Sequence, residues 1–369
     1  METGKRILFL SDINSVHTER WVKNLIQRGY SIDLFSLSQK HTDWSDECEN
    51  FSYECYGIEQ ATVVSSKRYA KFSYFKARKN AKKFFDKVQP DLVHAHYATS
   101  YGMLAKYIGF KKTVLSLWGT DVYDFPKKSL LHAMLFKRVV KFPKIVCSTS
   151  NDMAVEAKKW VDRNYVITPF GVDTNKFVPK QAVEVTEMLT IGTVKTLEDI
   201  YGIDRLIDLY AQFRAVYEGP SCLKIYGQGS KESELKDQVR TLGLENEVTF
   251  GGYINQENLA GAFQSLDIFV ALSRQESFGV AVLEAQSCGI PVLVSDVGGL
   301  PEVVAPEAGR VVSEDHPESW TEELVGLAAK IKTGTLEKAS RDFVVENFSQ
   351  EVCVDKIIQV YQDVQGIIA

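Results

Sequence analysis

Two glutamates with seven residues between them, Glu276 and Glu284, flank a glycine that opens a helical pattern. They lie in the run Ser273-Arg274-Gln275-Glu276-Ser277-Phe278-Gly279-Val280-Ala281-Val282-Leu283-Glu284-Ala285. The run follows an apolar strand pattern at 268–271. Carboxylates accept hydrogen bonds from neighbouring hydroxyls, and the first amides of a helix, here those of Phe278, Gly279 and Val280, suit oxygen-rich or anionic groups. Glu284 falls about one and a half turns into the helix. Taken alone, the pair also fits a surface helix with two solvated acids.

Other polar residues sit where strand patterns end. Asn14 and Ser15 follow the first strand, with His17 and Arg20 placed to cap or brace the helix behind them. His94 and His96 alternate along a strand end, one expected in the core and the other towards a cleft. Trp118, Gly119 and Asp121 follow another strand; an indole cannot move protons but can stack on a sugar face. In the second half, Lys195 follows a strand, Tyr226-Gly227-Gln228-Gly229 forms a turn, and Gly298-Gly299 permits close backbone approach.

Several chemistries lack their residues. The six cysteines (48, 55, 147, 222, 288, 353) include no Cys-x-x-Cys pair, which argues against zinc and against a disulfide framework. No Asp-x-Asp set with a metal rationale stands at a strand end, and no Gly-x-Gly-x-x-Gly follows the first strand, so a dinucleotide oxidoreductase is disfavoured.

The elements that must position these residues are short strands alternating with helical periods. Expected strands are 7–10, 31–37, 92–95, 113–117, 144–148 and 165–168, then 188–194, 223–226, 248–250, 268–271, 291–295 and 310–312. Expected helices include 18–28, 97–108, 151–159, 202–215, 231–242, 256–265, 279–288 and an amphipathic tail at 349–368. Strand–helix alternation predicts an α/β protein with parallel sheets covered on both faces. Two successive sets predict two Rossmann-like, doubly wound domains, 1–175 and 180–349, with the tail 350–369 crossing back and a linker at 181–187. Ligands of such sheets bind beyond the carboxyl ends of the strands. With 369 residues, 45% hydrophobic and 25% charged, each half can bury its own core.

The combination Glu276-Ser277-Phe278-Gly279 with Glu284, Gly289-Ile290-Pro291-Val292 and Gly298-Gly299-Leu300-Pro301-Glu302 resembles glycosyltransferase family 4, retaining enzymes of the GT-B fold. Gly171-Val172-Asp173 with Lys176-Phe177 and Pro179, the turn at Gly227 and Gly229, and Asp91-Leu92-Val93-His94-Ala95-His96 resemble further segments of that family. The resemblance spans nearly the whole chain. It implies a nucleotide diphosphate sugar as donor, a uridine diphosphate sugar by family frequency. Glu276 would meet donor-sugar hydroxyls, Glu284 the ribose, and the amides at Phe278, Gly279 and Val280 the sugar and phosphate oxygens. Lys195 would stand for the family's first phosphate-binding cation. Ile200 and Tyr201 occupy the region of the second, a lysine, for which Arg274 is the candidate substitute. Trp118 stands where many relatives carry histidine. Asn14, Ser15, His96, Trp118, Gly119 and Asp121 would face the acceptor. Chemistry of this type needs no essential metal and no further cofactor; retention is explained by same-face attack, with the leaving phosphate taking the acceptor proton.

Charge is divided unequally. Residues 1–175 hold 27 Lys/Arg and 18 Asp/Glu, a net +9, and residues 176–369 a net −14. Residues 67–87 carry nine basic residues, one acid and six aromatics, a run able to lie on an anionic membrane. A second basic group is Lys127, Lys128, Lys137, Arg138, Lys141 and Lys144. No nucleic-acid motif accompanies them, so nucleic acid is not an expected partner. No apolar run reaches the roughly 18 residues of a membrane span, so a cytoplasmic protein is expected, at the inner face of the cell membrane. The expected activity is transfer of a hexosyl or N-acetylhexosaminyl unit to a glycan or lipid-linked acceptor of cell-surface polysaccharide. The alternatives are a catalytically silent sugar-nucleotide-binding partner or a GT-B-like epimerase.

Overall fold

In the computed structural model, residues 5–58, 68–180, 188–331 and 334–366 are described. The linker expected at 181–187 and Lys67 of the basic run lie outside them. The chain divides into two compact units, Met1–Phe170 with Cys353–Ala369, and Gly171–Val352.

Unit 1 comprises β1 (Arg6–Leu10), α1 (Val16–Gln27), β2 (Ser31–Ser38), β3 (Phe51–Ile58), α2 (Arg68–Val88), β4 (Leu92–His96), α3 (Gly102–Ile108), β5 (Thr113–Leu117), α4 (Thr120–Tyr123), α5 (Leu130–Val140), β6 (Ile145–Ser148), α6 (Asn151–Lys158) and β7 (Val166–Ile167). Its sheet is parallel throughout, ordered β3-β2-β1-β4-β5-β6-β7. Alternation along β1 divides two cores. Leu8 and Leu10 pack with Ala81 and Phe84 of α2, Leu104 of α3 and Phe136 of α5. Ile7 and Phe9 pack with Trp21 and Leu25 of α1 and with the tail helix. The central strands are buried on both faces, as a sheet covered twice requires.

Unit 2 comprises β8 (Leu189–Val194), α7 (Ile203–Val216), β9 (Ser221–Tyr226), α8 (Glu232–Thr241), β10 (Val248–Gly252), α9 (Leu259–Gln264), β11 (Ile268–Ala271), α10 (Val280–Ser287), β12 (Val292–Ser295), β13 (Gly309–Val312), α11 (Ser319–Ile331) and α12 (Thr335–Phe348). Its six strands are also parallel, ordered β10-β9-β8-β11-β12-β13. Helix α13 (Gln350–Gln365) leaves unit 2 and enters unit 1, where Ile357, Val360, Tyr361 and Val364 are buried.

Each expected strand forms, with ends moved by one or two residues. Strand β3 was not expected; it is the sheet edge and its residues alternate poorly. The helix expected at 97–108 begins instead with a wide π turn, Tyr97–Tyr101, in which Tyr97 has φ 77°.

Candidate functional site

Within unit 2, three loops after strands converge. Lys195 N–H donates to the Tyr226 carbonyl (3.0 Å) and Leu197 N–H to the Gln228 carbonyl (3.0 Å), which binds the loop after β8 to the glycine turn after β9. Arg274 N–H donates to the Ile200 carbonyl (2.8 Å), which ties in the loop after β11. A Cβ on Gly227, at φ 136°, would lie 1.8 Å from the Lys195 carbonyl oxygen, so only glycine lets these loops meet.

This convergence brings Lys195 and Glu276 together, 81 residues apart in sequence, as an ion pair with the two side chains only 10% and 14% exposed. The Lys195 ammonium also lies 4.9 Å from the centre of the Tyr201 ring. Burial pushes the Tyr201 phenol up from its ordinary value, so it is a neutral donor at physiological pH. A cavity of about 440 Å³ opens beside them, lined by Lys195, Tyr201, Tyr226, Gly227, Gln228 and Tyr253. Of these, Tyr253 has no signal in the sequence, Tyr226 is marked there only as the start of the glycine turn, and Tyr201 only as standing where a lysine is expected.

Gly279 caps α10 in the left-handed conformation, φ 104°, and its carbonyl accepts the N–H groups of Val282 and Leu283 (3.0 and 3.3 Å); the amides at the very start of a helix have no partner in the preceding turn of that helix. Phe278 is buried beneath, and Glu284 is 6% exposed on the second turn. The Gly298-Gly299 loop after β12 supports this corner. Gly299 N–H donates to the Glu276 carbonyl (3.2 Å), and a Cβ on Gly298, at φ 56°, would come 1.9 Å from that oxygen. Gly298→Ala should therefore displace Glu276 and destabilise unit 2 by about 1–3 kcal/mol. A thermal melt with a donor-nucleotide titration checks this; unchanged melting and affinity would show that the loops do not depend on each other.

Arg274 is not available to replace a phosphate-binding lysine. Its guanidinium forms a two-pronged bond to Asp204 of α7 (2.8 and 2.6 Å) and a third to the Asp199 carbonyl (2.7 Å). It holds Asp204 below the usual carboxylate range. The acid at the start of α7 provides its partner.

Unit 1 gathers a second cluster at the ends of β1, β4 and β5. Trp118 stacks on His96 (centroids 4.5 Å, 29°) and meets His17 and Phe170 edge-on; His17 lies flat on Phe170 at 4.0 Å. The expectation that His94 and His96 divide between core and cleft is corrected. Two residues apart on one strand, they share a face and are both buried, at 1% exposure, with rings 4.4 Å apart. His94 bonds Tyr361 Oη (2.7 Å) and Ser116 Oγ (2.8 Å), and His96 Nδ1 bonds Ser11 Oγ (2.8 Å). Burial depresses His94 to about 3 and His17 to about 4, so both stay neutral.

Asp121, expected to face an acceptor, is fully buried and accepts the N–H groups of Ala98, Trp118 and Gly119 (2.8, 3.1 and 2.9 Å). It fixes the loops that carry Trp118, and burial raises its carboxyl while those three bonds lower it. Asn14 likewise braces its loop, donating to the Gln39 carbonyl (2.8 Å) and accepting from His41 N–H (2.7 Å). Ser15 is the N-cap residue of α1, without a side-chain cap bond. Among the described residues no group of three or more His, Cys, Asp or Glu could hold a metal ion.

The family description "Glycosyl transferase 4-like" matches residues 6–150, nearly all of unit 1, and "Glycosyl transferases group 1" matches residues 175–330 of unit 2. The chain is a GT-B glycosyltransferase of the family 4 type. It is similar to mannosylfructose-phosphate synthase of Agrobacterium fabrum, 29% identical over 177 residues, which are 43% of this chain and 38% of that enzyme. It is 24% identical over 294 residues, 75% of each chain, to the GDP-mannose:cellobiosyl-diphosphopolyprenol alpha-mannosyltransferase of Xanthomonas oryzae pv. oryzae. Several curated relatives are matched over only about half of their length or less. In structure this glycosyltransferase resembles Anabaena HepE, solved with UDP and glucose, at TM-score 0.75 and 17% identity, over 97% of this chain and 100% of that one.

Proposed function

We propose that this glycosyltransferase moves a hexosyl or N-acetylhexosaminyl unit, with retention and without an essential metal, from a nucleotide diphosphate sugar to a glycan or lipid-linked acceptor in cell-surface polysaccharide synthesis. The observation that carries the reading is the Lys195–Glu276 pair at the mouth of α10, beside an aromatic-lined cavity. Lys195 balances charge on the leaving diphosphate, and Glu276 accepts bonds from donor-sugar hydroxyls. The amides at Phe278, Gly279 and Val280 take sugar and phosphate oxygens, Glu284 takes the ribose, and the turn at Gly227 and Gly229 lies under the nucleotide. With Arg274 committed to Asp204, Lys195 is the cation nearest Glu276, and the leaving phosphate itself receives the acceptor proton. In unit 1 the half-buried Trp118, backed by the buried His96 and with its loop held by Asp121, offers an aromatic face to an acceptor sugar, with Gly119, Asn14 and Ser15 contributing on the acceptor side. The basic run 67–87 sets the protein against an anionic bilayer, at the inner face of the cell membrane.

A uridine diphosphate sugar is the favoured donor, supported by the ligands named for HepE; the Xanthomonas relative is named for GDP-mannose. A thermal-shift panel of uridine, guanosine and adenosine diphosphates and their sugars, with and without EDTA, separates them. A rise of several degrees with uridine nucleotides, unchanged by EDTA, is expected. A rise with guanosine nucleotides alone would transfer the reading to that base, and loss of the rise in EDTA would overturn metal independence. No shift at saturating ligand would remove these nucleotides as donors, and Tyr201 in place of a lysine would then be the first explanation. The anomeric configuration of the product distinguishes retention from inversion.

A further inference from the structure

Helices α2, α3 and α5 cover one face of the unit 1 sheet and share one core. Over residues 76–88, α2 turns its small and apolar side chains mostly inward. Ala77, Ala81, Phe84 and Val88 are all buried in that core, and what it shows outward is Lys76, Lys79, Lys83 and Lys87. α5 differs. Its inward face is Ala133, Phe136, Val139 and Val140. Its outward face begins with Leu130, Leu131 and Met134, which are 86%, 61% and 53% exposed. These positions are neighbours at helical spacing and form one apolar patch on the first turns. The helix start is fixed by Ser129, whose hydroxyl accepts from His132 N–H, so the patch is presented on a formed helix.

A basic rim surrounds the patch. Lys127 and Lys128 precede it, and Lys137, Arg138 and Lys141 follow on the exposed surface. Residues 125–144 contain six basic residues and no acid. Lys127 is paired with Glu156 (2.9 Å) and Lys144 donates to the Val364 carbonyl (2.8 Å). Lys128, Arg138 and Lys141 have no ion-pair partner among the described residues. Apolar side chains ringed by cations fit an anionic bilayer: the chains enter the acyl boundary and the cations meet the headgroups. A second copy of this chain is a poor occupant, because a two-fold axis through the patch would set basic rim against basic rim.

We propose that the first two turns of α5 are the membrane anchor of unit 1, with Leu130, Leu131 and Met134 inserting into an anionic lipid surface and the exposed lysines of α2 adding long-range attraction. This rests on the bilayer contact proposed above and locates its apolar component outside the basic run 67–87. The two helices therefore contribute differently. Insertion by α5 resists salt, whereas attraction by α2 is screened within a Debye length.

The test is co-sedimentation of the full chain with vesicles of phosphatidylcholine containing anionic phosphatidylglycerol, at low and high salt. Three proteins are compared: wild type, L130Q/L131Q/M134Q, and K76Q/K79Q/K83Q. All substituted residues are exposed, and thermal melts check that both variants fold. The α5 variant should lose at least about 100-fold in vesicle affinity at either salt, while the α2 variant should lose affinity chiefly at low salt. If wild type binds and the α5 variant binds equally, the anchor assignment is overturned and the bilayer contact stands. If wild type does not bind, both fall. If wild type forms a concentration-dependent dimer in ultracentrifugation that the α5 variant abolishes, the patch is a self-association surface and the proposal is overturned. A Met134→Trp variant whose added emission, taken as the difference from wild type, fails to shift to the blue on vesicles would equally exclude insertion.

Discussion

Glu276→Gln should reduce glycosyl transfer at least about 100-fold while unit 2 remains folded. The substitution keeps the side chain's shape and its ability to accept a hydrogen bond from the Lys195 ammonium, but removes the charge. Both partners are nearly buried, so the lysine loses its counter-charge in a medium that screens poorly. Donor hydroxyls lose a carboxylate acceptor, and bonds to charged groups are about twice as strong as neutral ones. Glu276→Ala should cost more activity and also some stability, because it leaves the ammonium without a partner. Steady-state transfer from a labelled donor, with circular dichroism as the folding control, measures both. Turnover near that of the wild type in Glu276→Gln would remove Glu276 from the site and with it the donor-side assignment.

The second large effect is on stability against pH. Five of the chain's six histidines lie in unit 1, and His17, His94 and His96 are held below their ordinary value, first of all by burial. Their folded values are below the unfolded value of about 6.5. Above pH 6.5 both states are neutral at these positions and the stability is fully present. As pH falls from there, the unfolded chain takes up protons that the folded chain refuses, and stability declines until the folded values are reached, about 4 for His17 and about 3 for His94. Each imidazole removes up to about 1.4 kcal/mol per pH unit in that window. The only histidine of unit 2 is His316, which is exposed. Calorimetry at pH 7.0, 6.0 and 5.0 should show the unit 1 transition moving down while that of unit 2 hardly moves. His94→Gln should flatten the dependence. A unit 1 transition that stays in place from pH 7 to 5 would contradict the buried, neutral state of the cluster.

The parts of this protein that were legible in its sequence are those whose determinants are local. Glu276, Gly279 and Glu284 lie within nine consecutive residues, and the helix start between them follows from a glycine after an apolar strand. Central strands such as β1 after Arg6 and β11 announce themselves because both faces are buried and the run is continuously apolar. Edge strand β3 does not, since half of it meets water and its residues need not alternate. Helices α11 and α12, which the sequence reading did not assign, take their places from tertiary packing. The pairing of Lys195 with Glu276 spans two loops and has no local signature. The same holds for the bond between Arg274 and Asp204, which the sequence could not reveal and which removes Arg274 from the donor side. His94 and His96 show the limit of periodicity: spacing places them on one face but does not say that the face is covered. The cover is α13, from the far end of the sequence, through Tyr361.

That covering helix makes unit 1 discontinuous in the chain. During synthesis on a ribosome, residues 1–170 precede Ile357, Val360, Tyr361 and Val364, so the sheet face that α1 covers in part stays incompletely covered until α13 has been made. Unit 2 is contiguous and can complete its core before that. The second unit is thus positioned to finish folding ahead of the first. Through that interval the partly covered apolar face is a target for chaperones, and a ribosome that stalls within α13 would release a chain with one mature unit and one unfinished one.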